Sequence, residues 1–274
     1  NHIKLVVDCT EYYSVSQLSG GLLGPPYLDM LIRLKIMNRL VGNIIVISQL
    51  FLEMYRTFAC RVTLIPPLVD FSDDKWYSKP IIIKNNKRRR LIYAGTLGKK
   101  DVILPLIRAL NLINKDRVLI ELILVGVSCT EELLINSIID SKLETFVINI
   151  GRIEMRDVSK YYKSSDFSIL LRPDKKYANY GFPTKLVESM ANGIPIIVNE
   201  TSDIGKYITS GVNGFLLTDI SIESIIKVLE QVINTADSQI LQMKCNPFES
   251  AKNYFDYSNY ADSLHKFFEE ISRY

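Results

Sequence analysis

Short apolar runs alternate along the chain with segments in which apolar residues recur every three or four positions. Runs rich in Ile, Val and Leu that end at a polar residue or a glycine are typical of buried strands, and the longer spacing is typical of amphipathic helices. The pattern predicts strands over 3–7, 44–47, 62–65, 91–94, 119–125, 146–150, 166–171, 194–198 and 215–217. It predicts helices over 26–40, 102–114, 131–141, 156–164 and 221–233, and a short one that ends at Arg56. This alternation indicates an α/β fold with parallel sheets whose faces are covered by helices.

A polar, irregular stretch over 69–90 divides the alternation into two series and is interpreted as an interdomain linker. We predict a first domain over 1–78, a second domain over 79–252 and an aromatic, amphipathic tail over 253–274. No repeat with a period of about 20–50 residues is evident, which argues against a solenoid.

The composition narrows the classes of function. The chain has 274 residues, of which 47% are hydrophobic and 23% charged, as is typical of globular proteins. Its net charge of +3 is too small to indicate nucleic-acid binding. The cysteines are widely spaced without a C-x-x-C pair, so neither a zinc site nor a disulfide framework is indicated, and we expect a cytoplasmic protein. No apolar stretch reaches the roughly 18 residues of a membrane-spanning helix.

The linker contains one dense basic cluster, made of Lys84, Lys87, Arg88, Arg89 and Arg90. One interpretation is a solvated segment ahead of a strand. The other is contact with an anionic membrane surface, which would place the protein at the inner face of the membrane.

The most informative segment runs from Tyr180 to Val198. Gly181 and Pro183 predict a tight turn, after which Thr184 is placed to cap a new helix. Gly193 ends that helix, and the apolar run that follows it predicts a buried strand. The segment is therefore expected to form a loop, a helix and a strand in succession.

The helix of this segment carries two candidate ligand-binding side chains. Lys185 falls in its first turn, and a helix N-terminus beside a lysine attracts an anion such as a diphosphate. Glu188 lies about one turn further along, where a carboxylate accepts hydrogen bonds from a ribose diol. This arrangement suits a sugar nucleotide, and the alternatives are an exposed helix lysine and a surface carboxylate.

Two other places in the second domain are candidate phosphate contacts. The loop from Gly95 to Lys100 follows a strand and precedes a helix, so its backbone N–H groups can approach a phosphate unless it is a plain turn. It has neither Walker A nor G-x-G-x-x-G spacing. Arg172 ends a strand at the predicted switch point of the sheet and pairs either with a phosphate or with Asp174. Gly126 also ends a strand and permits close approach of another backbone.

The segment from Tyr180 to Val198 closely resembles the donor-site signature of the family 4 glycosyltransferases, the retaining group 1 enzymes with the GT-B fold. In that family two glutamates are separated by seven residues. Glu188 matches the second, and Tyr180 stands where the first is usual. In relatives the first glutamate is usually placed near the hydroxyls of the donor sugar. The Gly-Phe-Pro-Thr-Lys variant looks like the subset that builds bacterial surface polysaccharides.

The resemblance implies two Rossmann-like domains and transfer of a hexosyl group from a UDP- or GDP-linked sugar donor to a glycan or lipid-linked acceptor. It implies neither a metal nor another cofactor. Lys185 and Lys100, with Lys99 as the alternative, would contact the donor diphosphate. Arg152 and Ile153 resemble the loop that holds the base, unless they form only a strand-ending turn. The predicted donor-binding residues are Gly95, Lys99, Lys100, Gly126, Arg152, Ile153, Arg172, Gly181, Phe182, Thr184, Lys185 and Glu188.

Relatives often carry a histidine after a strand of the acceptor domain, close to the reacting sugar. His2 precedes its strand and His265 lies in the tail, so neither matches that position. The corresponding loop carries Asp8 and Glu11 instead. These two and Glu188 are the candidate catalytic residues, and the alternative for Asp8 and Glu11 is a loop-capping carboxylate.

Residues 91–233 resemble a nearly complete nucleotide-binding domain, residues 1–68 the last part of an acceptor domain, and the tail the helices that cross back onto that domain. The chain begins directly in a strand without a methionine, so we expect the first strands of the acceptor domain to be absent from it. Two alternative functions stay open: a non-catalytic sugar-nucleotide-binding protein, which Tyr180 favours, and a GT-B-fold sugar-nucleotide epimerase.

Overall fold

The computed structural model describes residues 3–58, 60–73, 75–76, 88–97, 102–128, 130 and 145–273. The helix predicted over 131–141 and residues 77–87 of the predicted linker lie outside these ranges. Lys99 and Lys100, the predicted phosphate contacts of the glycine loop, lie outside them as well.

In the described part of the chain the first sheet has three parallel strands in the order β1-β2-β3. The strands are β1 (Val7–Cys9), β2 (Asn43–Val46) and β3 (Arg61–Leu64). The connecting helices are α1 (Pro25–Ile32), α2 (Asn38–Val41) and α3 (Gln49–Arg56), with a π-helical turn over Arg33–Met37 joining the first two.

The prediction of a buried strand over 3–7 is wrong. The ladder pairs Val7 with Ile44 and Cys9 with Val46, so β1 starts where β2 can supply hydrogen bonds. Ile3 and Leu5 precede that register and are 87% and 62% exposed. A run of apolar residues does not define a strand's limits, because the limits depend on the partner strand.

The second sheet, as far as the described residues go, has six parallel strands in the order β6-β5-β4-β7-β8-β9. The strands are β4 (Arg89–Ala94), β5 (Ile120–Val125), β6 (Val147–Gly151), β7 (Phe167–Leu170), β8 (Ile196–Asn199) and β9 (Gly214–Leu217). The helices are α4 (Leu104–Ile113), α5 (Met155–Lys163), α6 (Lys176–Tyr180), α7 (Thr184–Ala191), α8 (Ile222–Asn234), α9 (Asp237–Phe255) and α10 (Ala261–Ser272). The α/β prediction is confirmed.

The second sheet is covered on both faces. Successive side chains of a strand point to opposite sides, so Leu91 and Tyr93 join one apolar core while Ile92 and Ala94 join another. Helices α4 and α8 pack together, as do α7 and α9. The strand order reverses between β4 and β7, which creates a crevice at the carboxyl ends of these strands.

The arginines of the basic cluster bind carboxylates. Arg88 and Arg90 both pair with Glu121, at 3.0 and 3.1 Å, and Arg89 pairs with Asp237. Arg89 and Arg90 also begin β4, so this part of the cluster belongs to the sheet rather than to a linker. Contact of the cluster with a membrane stays a prediction. None of the helices in the described ranges combines the length and apolar character that a membrane span needs.

The C-terminal segment returns to the first sheet. Helix α9 runs through the predicted boundary at 252/253, and α10 packs against β3. Between them, Phe255 and Tyr257 form backbone hydrogen bonds with Val69, at 2.8 and 3.1 Å. The limits of the two domains and of the tail stay predictions.

Candidate active site

A cleft of about 480 Å³ lies between the two sheets. The first sheet contributes the loop after β1, and the second contributes the carboxyl ends of β4 and β7 and the loop before α7. Its lining includes Thr10, Glu11, Tyr13, Gln17, Leu18, Thr96, Leu170, Arg172, Tyr177 and the loop 181–185. The lining residues of the first sheet form one wall of the cleft, and those of the second sheet form the other. The cleft lies at the switch point of the second sheet.

The loop before α7 differs from its prediction in one detail. Pro183, in extended backbone, is the N-cap of α7, and Thr184 is the first helical residue. No side chain forms a cap hydrogen bond at the start of α7, so the expectation that Thr184 caps the helix is wrong. Thr184 is exposed and lines the cleft, and Lys185 lies in the first turn as predicted.

Lys185 extends from α7 across the end of β4. Its Nζ lies 3.1 Å from the Tyr93 hydroxyl oxygen and 4.7 Å from the centroid of the Tyr93 ring. A Cβ on Gly95 would be 2.3 Å from Lys185 Cε, so a larger residue here would displace the lysine side chain from this position. The structure thus brings together Lys185 and Gly95, two candidates from distant parts of the chain.

Three glycines follow one another along the carboxyl edge of the second sheet. Gly95, Gly126 and Gly151, at the ends of β4, β5 and β6, have φ of 142°, 91° and 74°. The Gly95 amide donates to Val125 and the Gly126 amide to Gly151, both at 2.7 Å. A Cβ on Gly126 would lie 3.2 Å from the Gly95 carbonyl carbon, so Gly126 permits the close approach of these two backbones.

Glu188 is half-buried one turn further along α7. Burial raises the pKa of its carboxyl, and Lys185 offsets part of that rise. The pKa of Tyr162 is raised as well, mainly by burial and then by the Glu188 charge. Ile153 packs against the apolar cluster that contains Tyr162, whereas Arg152 is exposed. The contacts of Glu188 with a ribose and of Ile153 with a base stay predictions.

Arg172 is 5% exposed and follows β7. Its backbone N–H donates to Asn199 Oδ1 and its carbonyl accepts from Asn199 Nδ2, both at 2.8 Å. Asp174, its alternative partner, instead accepts from Asn179 Nδ2 at 2.7 Å. Arg172 lines the cleft beside Gly181, and its pairing with a phosphate stays a prediction.

Of the two candidate carboxylates of the first domain, only Glu11 lines the cleft. Its carboxylate accepts a hydrogen bond from the Tyr13 hydroxyl. Asp8 is exposed and borders a neighbouring cavity of about 290 Å³ with Arg33 and Asn38, which Glu11 also borders. The catalytic roles of Asp8, Glu11 and Glu188 stay predictions.

Sequence reasoning missed the tyrosines of the site. Tyr93 contacts Lys185 and Tyr13 contacts Glu11, but Tyr93 belongs to a buried strand and Tyr13 to an irregular loop, where the pattern gives no functional signal. Within the described ranges no three His, Cys, Asp or Glu side chains come together as they would around a metal ion. That the site needs no metal stays a prediction.

Comparison with known proteins gives the family of the chain. The family model described as glycosyl transferases group 1 matches residues 74–246. The amylovoran biosynthesis glycosyltransferase AmsK of Erwinia amylovora is 26% identical over 143 residues, which cover 51% of this chain and 35% of that protein. The chain thus spans about a third of the length of the curated relative that it matches.

Solved structures share the fold at low identity. Sucrose-phosphate synthase from Thermosynechococcus elongatus has a TM-score of 0.73 at 15% identity, over 100% of this chain and 69% of that one. TarM from S. aureus has 0.74 at 13%, over 96% and 50%, and Anabaena HepE in complex with UDP and glucose has 0.70 at 16%, over 96% and 71%. The chain has the GT-B fold and belongs to the group 1 glycosyl transferases.

Proposed function

We propose that this chain carries the donor site of a retaining hexosyltransferase that moves a sugar from a UDP- or GDP-linked donor to a glycan or lipid-linked acceptor in polysaccharide biosynthesis. The observation that carries the proposal is the meeting of Lys185, the Gly95 loop and the first turn of α7 at the switch point of the second sheet. A lipid-linked acceptor would place the reaction at the inner face of a membrane.

Departure of the diphosphate is the step that these groups would assist. Negative charge develops on the leaving oxygen, and cations or oriented N–H groups aimed at it stabilise the transition state. Lys185 supplies an ammonium, and the first N–H groups of α7 supply oriented dipoles. Glu188, deeper along α7, would accept hydrogen bonds from the ribose, and the backbone near Ile153 would face the base.

The opposite wall of the cleft would hold the transferred sugar. Glu11 and Lys185 both line the cleft, and the Glu11 carboxylate accepts a hydrogen bond from the Tyr13 hydroxyl. A carboxylate in this place accepts hydrogen bonds from sugar hydroxyls. Asp8 lines the adjoining cavity and not the cleft, and it would act on the acceptor side.

A similar fold has been solved with UDP-glucose in Anabaena HepE and with UDP in TarM. These ligands belong to those proteins and support UDP ahead of GDP as the first nucleotide to test here. AmsK, named for amylovoran biosynthesis, supports a polysaccharide product.

Calorimetric titration with UDP and GDP tests the donor site. We expect saturable binding of UDP by the parent chain, and about tenfold or greater weakening in Lys185→Ala, because charge-assisted hydrogen bonds contribute about 1.5–3 kcal/mol. The Lys185→Ala/Glu188→Ala double variant should show no measurable binding. Lys206→Ala removes an exposed lysine of the same domain and is the matched control.

A folded parent chain that binds neither nucleotide, or equal weakening in Lys206→Ala, would contradict the site. Product analysis with UDP-sugars then separates the functions. Transfer adds the mass of a hexosyl unit to an acceptor, epimerisation leaves the mass of the sugar nucleotide unchanged, and tight binding without either supports a non-catalytic binding protein.

A further inference from the structure

Tyr180 immediately precedes the cleft loop, but its ring packs into the first domain. The ring centroid lies 5.2 Å from that of Tyr12 in a stacked pair and 4.9 Å from that of Phe51 in a tilted pair. Phe51 is fully buried in the core of the first domain, against which Tyr180 packs. The side chain therefore joins the second domain to the core of the first.

Backbone contacts hold the same junction. Ser48, the N-cap of α3, donates from its hydroxyl to the Tyr180 carbonyl at 2.6 Å and is fully buried. The next amide, of Gln49, donates to Asp203 Oδ2 at 2.8 Å. A carboxylate at a helix N-terminus is favourable because it meets the positive end of the helix dipole. Two residues of the second domain thus hold the first turn of α3.

This junction connects the two walls of the cleft through very short segments. Tyr12 lies between Glu11 and Tyr13, which line one wall, and Tyr180 is followed at once by the loop 181–185, which lines the other. Adjacent Cα atoms are about 3.8 Å apart, so a displacement of either ring is transmitted directly to the lining residues. The Tyr12–Tyr180 stack is thus a direct side-chain contact between the segments that carry the two walls.

We propose that Tyr180 is a positioning residue that fixes the Glu11–Tyr13 wall relative to the Lys185 loop. Its importance for turnover rests on the proposed function, whereas its effect on the two walls does not. The resemblance assigns a donor-sugar contact to the glutamate usual at this position. A carboxylate here would lie among the rings of Tyr12 and Phe51, where an unpaired charge is costly to bury, so this chain uses the position for domain contact instead.

Hydrogen–deuterium exchange in the whole chain tests the proposal without a ligand. The reporters are amides of the loop after β1, such as that of Tyr13, which donates to Met30 Sδ at 3.2 Å, and that of Ser14, which donates to Gln17 Oε1 at 2.8 Å. In Tyr180→Ala and Tyr180→Glu we expect residues 10–18 to exchange about tenfold faster, because two aromatic contacts are lost. Tyr180→Phe keeps both ring contacts and should retain the parent's protection.

Tyr257→Ala is the matched control, since it removes a tyrosine ring that is 53% exposed. The proposal would be overturned if the amides of residues 10–18 were as well protected in Tyr180→Ala as in the parent. It would also be overturned if Tyr257→Ala lost as much of that protection as Tyr180→Ala. Unchanged protection of β4 and β5 shows that the variants stay folded. Loss of protection throughout the chain in both Tyr180→Ala and Tyr180→Phe would mean that Tyr180 maintains the whole fold rather than the relative position of the walls. That result would also overturn the proposal.

The kinetics of turnover provide a second, independent test of the role of Tyr180. With a UDP-sugar that the parent uses, Tyr180→Ala should lower kcat about tenfold while the donor KM changes less than about threefold, because Lys185 and Glu188 stay in place. Tyr180→Phe should recover most of kcat, and Tyr180→Glu should not. Higher kcat in Tyr180→Glu than in the parent would show that the position still serves the sugar and would overturn the proposal. If the parent binds no UDP, the proposed function fails while the exchange result still decides the role of Tyr180.

Discussion

The buried environment of Glu188 disfavours the ionised form of its carboxyl group. Burial raises its pKa above the ordinary value of 4.5, with Lys185 offsetting part of the rise. We expect the affinity for a UDP-sugar to fall as the pH is lowered through this raised pKa, because the protonated acid is a poorer acceptor for the ribose hydroxyls. The phosphates of a UDP-sugar lack the second ionisation near pH 6 that a terminal phosphate shows, so calorimetry from pH 8 to pH 5 reports the protein group.

Glu188→Gln is the variant that checks this assignment. It keeps the shape of the side chain and removes the ionisation, so its affinity should be lower at pH 8 and independent of pH over the same range. A carboxyl whose pKa is raised by folding contributes stability below its unfolded pKa and loses it as the pH rises through the folded pKa. The free energy of unfolding of Glu188→Gln should therefore be higher than that of the parent at pH 8 but not at pH 4. The same pH profile in the variant and the parent would contradict the assignment.

At the scale of elements, the row of glycines at the sheet edge gives the next prediction. Gly126→Ala should lower the unfolding free energy by more than about 1 kcal/mol, because Ala is strained at φ 91° and its Cβ would lie 3.2 Å from the Gly95 carbonyl carbon. It should also weaken UDP binding by displacing the Gly95 loop. Urea unfolding and calorimetry measure the two effects.

Gly211→Ala is the control for backbone strain alone. Gly211 has φ 80°, but a Cβ there would meet no atom within 4 Å. It should lose about 1 kcal/mol of stability and no UDP affinity. If the two variants lose the same stability and neither loses affinity, the close approach of Gly126 to Gly95 has no role in the site.

The elements also show how far the sequence can predict this fold. Apolar spacing predicted α7 well, because Leu186, Val187, Met190 and Ala191 all become buried. Helix α9 was missed as a whole, since its polarity is mixed and Pro247 stands inside it, where a proline normally ends a helix. Its packing against α7 stabilises it, and that contact comes from a segment about 50 residues away.

The candidate site was predictable only in part, for a related reason. The motif predicted Lys185 in a first turn and Glu188 one turn later, both of which are local properties. The contact of Lys185 with Tyr93 and the stack of Tyr180 on Tyr12 depend on how separate elements meet, and no local pattern encodes them. Thr184 was misassigned because Pro183 already has the extended backbone of an N-cap.

At the scale of the whole molecule, an aromatic cluster packs against the cleft loop 181–185 and stabilises it. Phe182 of that loop packs edge-on to Tyr207 at 5.4 Å and against Phe255 at 6.0 Å. Phe255 is fully buried, and its carbonyl accepts from the Val69 amide, so one residue connects the loop, the segment after β3 and the C-terminal helices.

Phe255→Ala should lower the unfolding free energy by about 3–5 kcal/mol, since it leaves a large cavity in this cluster. It should also weaken UDP binding, because Phe182 loses a supporting ring. Phe268→Ala, at a side chain that is 46% exposed, should stay within about 0.5 kcal/mol of the parent and keep its affinity. Urea unfolding of both variants measures the difference, and equal losses would contradict the role assigned to the cluster.

The position of Lys185 has a consequence for ligand choice. A lysine side chain that becomes fixed on a ligand gives up about 2 kcal/mol of rotamer entropy. Here the Tyr93 ring and hydroxyl already order it in the folded chain, and Gly95 leaves a channel for its stem. We expect part of that entropy to be lost on folding rather than on binding. The ammonium would then keep its position when a ligand binds, and a diphosphate would be selected by whether its own length and bend carry it to a preorganised charge.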